Sequence, residues 1–227
     1  MWRFGEVGKK WLVECLLTAC NKKAGNKITK TEEEKSSQNF DYGKIKDGVY
    51  TNDFFDFSIT YDPSWHVQDD GQMAHLTELG KELFVGDDEA IKAIMKASEI
   101  NSANLFAIFE HEVGAPVEFN PSLMVIAENT KFAPGIKRGK DYFFHAKKIM
   151  KQTQIDYKFE KEIYEKEMGG VSFDVMEVDA DYGFGKVTQE YLTTVRKGFS
   201  ISFVITYRDE EQKTKLYDLL EGVKFSR

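Results

Sequence analysis

Cysteine is nearly missing from this chain of 227 residues, which has two, Cys15 and Cys20. So few thiols exclude a disulfide-stapled scaffold and a zinc site built from several thiolates. Histidine is also scarce: His66, His75, His111 and His145 are the whole supply, and none sits in an H-E-x-x-H pattern. No G-x-S-x-G elbow and no P-loop occurs. No apolar run reaches the roughly 18 residues that a membrane-spanning helix needs. A positive excess is lacking as well, with 31 basic residues against 38 acidic and a net charge of −7. Read as a whole, that balance leaves nucleic-acid phosphates without counter-charge and gives anionic lipid no hold, so membrane association requires an apolar anchor.

What is present is apolar surface. The chain is 41% hydrophobic and 14% aromatic, with 18 Phe, enough for one domain with an aromatic core. In residues 55–61, Phe55, Phe57, Ile59 and Tyr61 alternate with polar residues, which predicts a half-buried strand stopped by Asp62-Pro63, with Trp65 in the following turn. Residues 87–98 fit a helix capped by Asp87, with Ile91, Ile94, Met95 and Ser98 on one face. "ANLFAIFEHE" and "SLMVIAENT" are apolar in both alternations and predict central strands covered on each face. Residues 139–151 predict a second helix with Tyr142, Ala146, Ile149 and Met150 inward. Three strands follow over 169–181, 186–198 and 199–207, joined by short Gly-containing links. A last helix is predicted from Asp209 and Gln212, which match a capping box, with Leu216, Leu219, Leu220 and Val223 as its stripe and Gly222 at its end. The sum is an α+β domain over 45–227, a central antiparallel sheet flanked by helices.

The first twenty residues have another character. Arg3, Lys9 and Lys10 precede the run Trp11–Ala19, broken by Glu14, and the small Ala19 stands before Cys20. That is the layout of a secretory signal. Leu17-Thr18-Ala19-Cys20 resembles the lipobox of bacterial lipoproteins, in which the Cys receives diacylglycerol and the chain is cut before it. The resemblance implies a signal peptide over 1–19, lipidation at Cys20 with acyl chains such as palmitate, and a home on the extracytoplasmic face of a bacterial cell membrane. The same residues also suit an amphipathic helix with Trp11, Leu12, Cys15, Leu16 and Ala19 on one face, and the C-x4-C spacing lacks the two-residue gap of thioredoxin-like motifs. Residues 20–44 have little to bury and alternate in charge, which predicts a flexible tether.

"YTNDFFDFSITYDPSW" (50–65) and "GFSISFVITYRDEEQKTKLYDLLEGVKF" (198–225) are similar to the opening strand with its P-x-W turn, and to the closing strand and helix, of PsbP-like domains. The resemblance implies a central antiparallel sheet with helices on its faces and a mostly non-catalytic role in binding, docking or assembly. The site residues it leaves to consider are few. "EHE" at 110–112 could offer a metal three ligands, but strand alternation would send Glu110 and Glu112 away from His111. Asp69, Asp70, Glu78, Asp87 and Asp88 are acidic without EF-hand spacing. "GFG" at 183–185 reads as a turn, His145 as boundary packing, and "EKEIYEKEM" at 160–168 as an exposed edge strand. The expectation is therefore a lipid-anchored accessory domain with no cofactor, no metal and no nucleic acid. Its contacts with an envelope partner or small ligand would be made near Trp65 and His66. The alternative is an envelope hydrolase whose site forms only in three dimensions.

Overall fold

The computed structural model describes residues 41–69, 71–74, 101–182 and 185–226. Cys15, Cys20, the signal and tether up to Phe40, His75, and the helix expected at 87–98 lie outside the described residues. Among them are two antiparallel sheets rather than the single sheet expected. The small one runs in the order β1-β2-β3-β12, from β1 (Lys44–Lys46), β2 (Val49–Asn52), β3 (Phe57–Thr60) and β12 (Val223–Phe225). The large one contains β4 (His66–Val67), β5 (Ser102–Phe109), β6 (Ser122–Asn129), β7 (Asp156–Lys158), β8 (Tyr164–Met168), β9 (Val171–Asp181), β10 (Lys186–Arg196) and β11 (Phe199–Tyr207). Its order is β4-β5-β6-β11-β10-β9-β7, with β8 also on β9. Helix α1 (Gly139–Met150) packs on β9 and β10, and α2 (Glu210–Glu221) on β11 and β3.

The large sheet is buried on both faces, and each face has its own core. One face carries Leu123, Val125, Phe173, Leu192, Ile201, Phe203 and Ile205 against Tyr50, Phe57 and Ile59 of the small sheet and Leu216, Leu219 and Leu220 of α2. The other carries Met124, Ile126, Met176, Val178, Tyr191 and Val204 against Tyr142, Phe143, Ala146 and Met150 of α1. All nine residues of β11 are buried, so its alternation of large apolar with hydroxyl side chains is not an inside-outside pattern. Two of the hydroxyls find partners, since Thr193 Oγ1 and Ser202 Oγ are 2.8 Å apart and Gln189 Nε2 donates to Thr206 Oγ1 at 3.2 Å, whereas Ser200 Oγ is buried without one. Buried polar groups are tolerated when they pair in this way.

Several local expectations shift. Phe55 is fully buried but belongs to a turn, where Asp56 takes φ 57°, so the strand begins only at Phe57. Asp41, which composition assigned to the tether, is tied to the small sheet: its Oδ2 accepts from Phe54 N at 2.9 Å, and Asn52 Nδ2 donates to its carbonyl. In α1 it is Phe143 that is fully buried, while Ile149 is half-buried. Asp209 caps α2 by accepting from Gln212 N at 2.9 Å, but Gln212 Oε1 accepts from Arg208 N, one residue outside the reciprocal box.

Gly222 ends α2 with an ordinary right-handed φ of −71°, so conformational freedom is not its reason for being there. Proximity is: a Cβ would stand 2.1 Å from Thr60 O, in the place where Thr60 N donates to Gly222 O at 3.1 Å. Gly222→Ala should therefore destabilise the fold by about 1–3 kcal/mol through overpacking. Gly135→Ala, with open space around the added methyl, should change little. Urea-unfolding midpoints measure both, and equal midpoints would refute the assignment.

Candidate functional site

A cavity of about 610 Å³ opens between the β1–β2 hairpin and β5. That volume falls within the range of roughly 300–1,000 Å³ seen for small-ligand pockets. Tyr42, Ile45, Tyr50, Met73, Leu105 and Phe106 supply much of its wall. Tyr50 is held in place from both sides: its hydroxyl donates to Tyr42 O at 3.0 Å and accepts from Asn52 Nδ2 at 3.2 Å. Its ring lies 4.9 Å from that of Phe106, and burial pushes its ionisation well above the usual range. At neutral pH it is a hydrogen-bonding phenol.

Lys44, Gln68, Ser102 and Asn104 add polar groups to this wall, and Gln68 is the most deeply seated of them. The residue is 7% exposed, its N donates to Ala107 O at 3.0 Å, and its Nε2 donates to His66 O at 3.0 Å. Its Oε1 is buried and accepts no hydrogen bond. Leaving such an acceptor unused costs about 1–3 kcal/mol. The cavity thus presents aromatic and aliphatic surface mixed with polar side chains, and no histidine among the described lining residues. Such a set can orient a ligand.

Trp65 and His66 stand three and two residues before Gln68 but do not line this cavity. Trp65 is half-buried against the core beneath the small sheet, and its N donates to Asp62 O. His66 is exposed and belongs to β4, opposite Phe109, not to a turn. The sequence offered no signal for Gln68, because its position depends on backbone partners from β4 and β5. The "EHE" segment leaves the sheet: β5 ends at Phe109, Glu110 pairs with Lys215 at 2.7 Å, and Asn120 grips both backbone groups of His111 at 2.7 Å. Asp69 Oδ1 accepts from Gln72 N while Gln72 Oε1 accepts from Asp69 N, so this acid caps the helical turn at 71–74. Asp70, Glu78, Asp87 and Asp88 lie outside the described residues, as do residues 183–184 of "GFG". His145 is half-buried on α1 with its ring edge-on to Phe144. Residues 164–168 of "EKEIYEKEM" form β8 on the margin of the large sheet. No group of three or more His, Cys, Asp or Glu suited to a metal ion occurs among the described residues.

The most concentrated charge chemistry lies elsewhere, at Glu190 on β10, which is 0% exposed. Its carboxylate accepts from Tyr207 OH at 2.7 Å, Tyr217 OH at 2.5 Å and Tyr164 OH at 3.3 Å, and pairs with Lys213 Nζ at 2.9 Å. Burial alone would raise its pKa, but the bonds from Tyr217, Lys213 and Tyr207 more than offset this, and the pKa lies below the usual range. The neighbouring Glu177 pairs with Lys161, and Lys213 Nζ lies 4.0 Å from it. Every acceptor direction of Glu190 is occupied, so this carboxylate is a fastening between β10, β11, β8 and α2 and has no capacity left as a base. The four partners come from residues 164–217, a convergence that no spacing in the sequence announces.

No protein-family model matches the chain, and no curated protein matches it. Among solved structures, the chain is similar to cyanobacterial PsbP (CyanoP) from Synechocystis, with a TM-score of 0.48, 12% identity, and coverage of 81% of this chain and 96% of that one. A Pseudomonas aeruginosa protein of unknown function gives a TM-score of 0.38 at 10% identity, covering 53% of this chain and 78% of that one. A Bacteroides thetaiotaomicron protein gives 0.38 at 9% identity, covering 76% of this chain and 46% of that one.

Removing one member of a buried ion pair typically costs about 3–5 kcal/mol, so Glu190→Gln should lower stability at neutral pH by about 3 kcal/mol. Folding lowers this carboxyl's pKa from its ordinary 4.5. Its contribution is therefore complete above that value and is lost as pH falls through the lower folded-state value. The stability gap between wild type and Glu190→Gln, measured by urea unfolding at a series of pH values, should narrow below pH 4.5. Parallel curves across the acid range would contradict the assignment.

Proposed function

We propose that this chain is a lipid-anchored bacterial protein of the extracytoplasmic membrane face, whose PsbP-like domain binds a partner or small ligand without transforming it. The anchoring half of the reading is supported by the positive start, the apolar run and Leu17-Thr18-Ala19-Cys20. Two or three acyl chains on one Cys hold a protein at a bilayer stably, where one would not. The polar segment after Cys20 supplies chain length between bilayer and domain, and Asp41, where the described residues begin, is fastened to the small sheet.

The observation that carries the binding half is the cavity beside β5, whose wall mixes aromatic and aliphatic side chains with Lys44, Gln68, Ser102 and Asn104. Reversible binding needs that kind of lining. The buried carboxylates with lowered pKa are committed elsewhere, Glu190 to three tyrosines and Lys213, and Asp174 to Arg138 and the Lys140 N–H. No observation among the described residues favours the hydrolase alternative.

The decisive experiment for anchoring is metabolic labelling with an alkyne fatty acid. Wild type and Cys15→Ala should take the label and fractionate with membranes, whereas Cys20→Ala should lose the label. Equal labelling of wild type and Cys20→Ala would sink the anchor.

A further inference from the structure

The net charge of −7 conceals a strong local asymmetry. Between Lys131 and Lys151 stand seven basic residues (Lys131, Lys137, Arg138, Lys140, Lys147, Lys148 and Lys151) and a single acid, Asp141. Helix α1 sorts these groups. Tyr142, Phe143, Ala146 and Met150 face the core. Lys140, Phe144, Lys148 and Lys151 are exposed, with Phe144 at 61%.

The charges that could cancel the lysines are engaged elsewhere. Asp141 Oδ2 accepts from Lys137 N and Arg138 N, closing the first turn of the helix. Asp174 is buried and doubly bonded by Arg138, which also holds Glu165. No ion pair joins Lys137, Lys140, Lys147, Lys148 or Lys151 to a carboxylate among the described residues. Lys147 and Lys151 place their Nζ atoms over the Phe159 ring, at 5.2 and 5.7 Å from its centroid. Crowding between them is felt: burial, then the Lys151 charge, lowers the Lys147 pKa. Lys148 stands 4.1 Å from the centroid of the exposed Phe144 ring. Phe132, 75% exposed, lies in the loop leading to the helix.

From this arrangement we infer that the outer face of α1 is a docking surface for an anionic phospholipid bilayer, with Phe144 entering the headgroup layer and the surrounding lysines neutralising lipid phosphates. The partner is chosen by the chemistry of the face. Unpaired lysines alone fit any polyanion, but an aromatic ring projecting from their midst suits an interface that is charged outside and apolar beneath. Lysines at its flanks keep their stems in the apolar layer and their ammonium groups at the phosphates. The inference rests on the lipid-anchor reading only for which membrane is at hand, and its test dispenses with the anchor.

The full chain carrying Cys20→Ala, and so unable to be acylated, is co-sedimented with phosphatidylcholine vesicles with or without about one-third phosphatidylglycerol. Binding should require phosphatidylglycerol and disappear in high salt. In the same background, Lys140→Glu with Lys148→Glu should weaken it at least about tenfold, since each lysine near such a surface contributes about fivefold. Phe144→Ser should weaken it several-fold, and the independent pair Lys137→Glu with Lys151→Glu serves if the first alters the urea midpoint. Equal binding to neutral vesicles, or no change in either lysine pair, overturns the proposal. So does lysine-dependent binding of an RNA oligonucleotide with vesicle binding unaffected. Each result stands whether or not Cys20 is acylated in cells.

Discussion

The burial of one sheet on both faces is the constraint from which the rest of the structure follows. Strands β6, β11, β10 and β9 cannot turn either side to water, so both sides need covers, and the chain supplies two of different kinds. One is a helix, α1. The other is a composite of the small sheet and α2, closed by the Thr60–Gly222 contact. The second cover is assembled from both ends of the domain, since β12 at the C-terminus pairs with β3 near the start. Neither terminal piece can complete that core alone, which makes the fold a single cooperative unit.

The charged groups that enter this doubly covered sheet at Glu190 and Asp174 do so where partners await them. Glu190 secures the composite cover and Asp174 secures α1, each reaching across to the helix lying over its own face. The two carboxylates act as rivets on opposite sides of neighbouring strands. Their environments differ in the donors used: phenols and an ammonium around Glu190, a guanidinium and a backbone N–H around Asp174. Smaller groups are left less complete, with Ser200 Oγ and Gln68 Oε1 buried and without a hydrogen bond.

The three-stranded meander, both central strands and both described helices were legible in the sequence because each depends on local periodicity and turn chemistry. At Lys197-Gly198, for example, two consecutive positive φ values close a tight hairpin between Arg196 and Phe199. What stayed hidden depends on distant pieces meeting. β12 is three residues long and gains its identity from β3. Gly222 looks like a helix terminator until Thr60 is seen against it. Gln68 carries no motif, and Trp65 and His66 drew attention only by residue type. The basic face of α1 was in plain view but was averaged away by the net charge, and the helix had to be rolled onto its core before the lysines and Phe144 shared a side.

Strand β9 is eleven residues long, and its outer edge is taken up by two short strands, β7 at its C-terminal end and β8 at its N-terminal end. Both caps come from the single connection between α1 and β9, and they place Asp156, Lys158, Glu165, Lys166 and Glu167 along the rim. A long bare edge of this kind would be a template on which a second molecule could extend the sheet. Split into two brief, charge-alternating segments, the margin offers no continuous run of backbone donors and acceptors. Crowded copies of the domain therefore meet along a rim built to keep them apart.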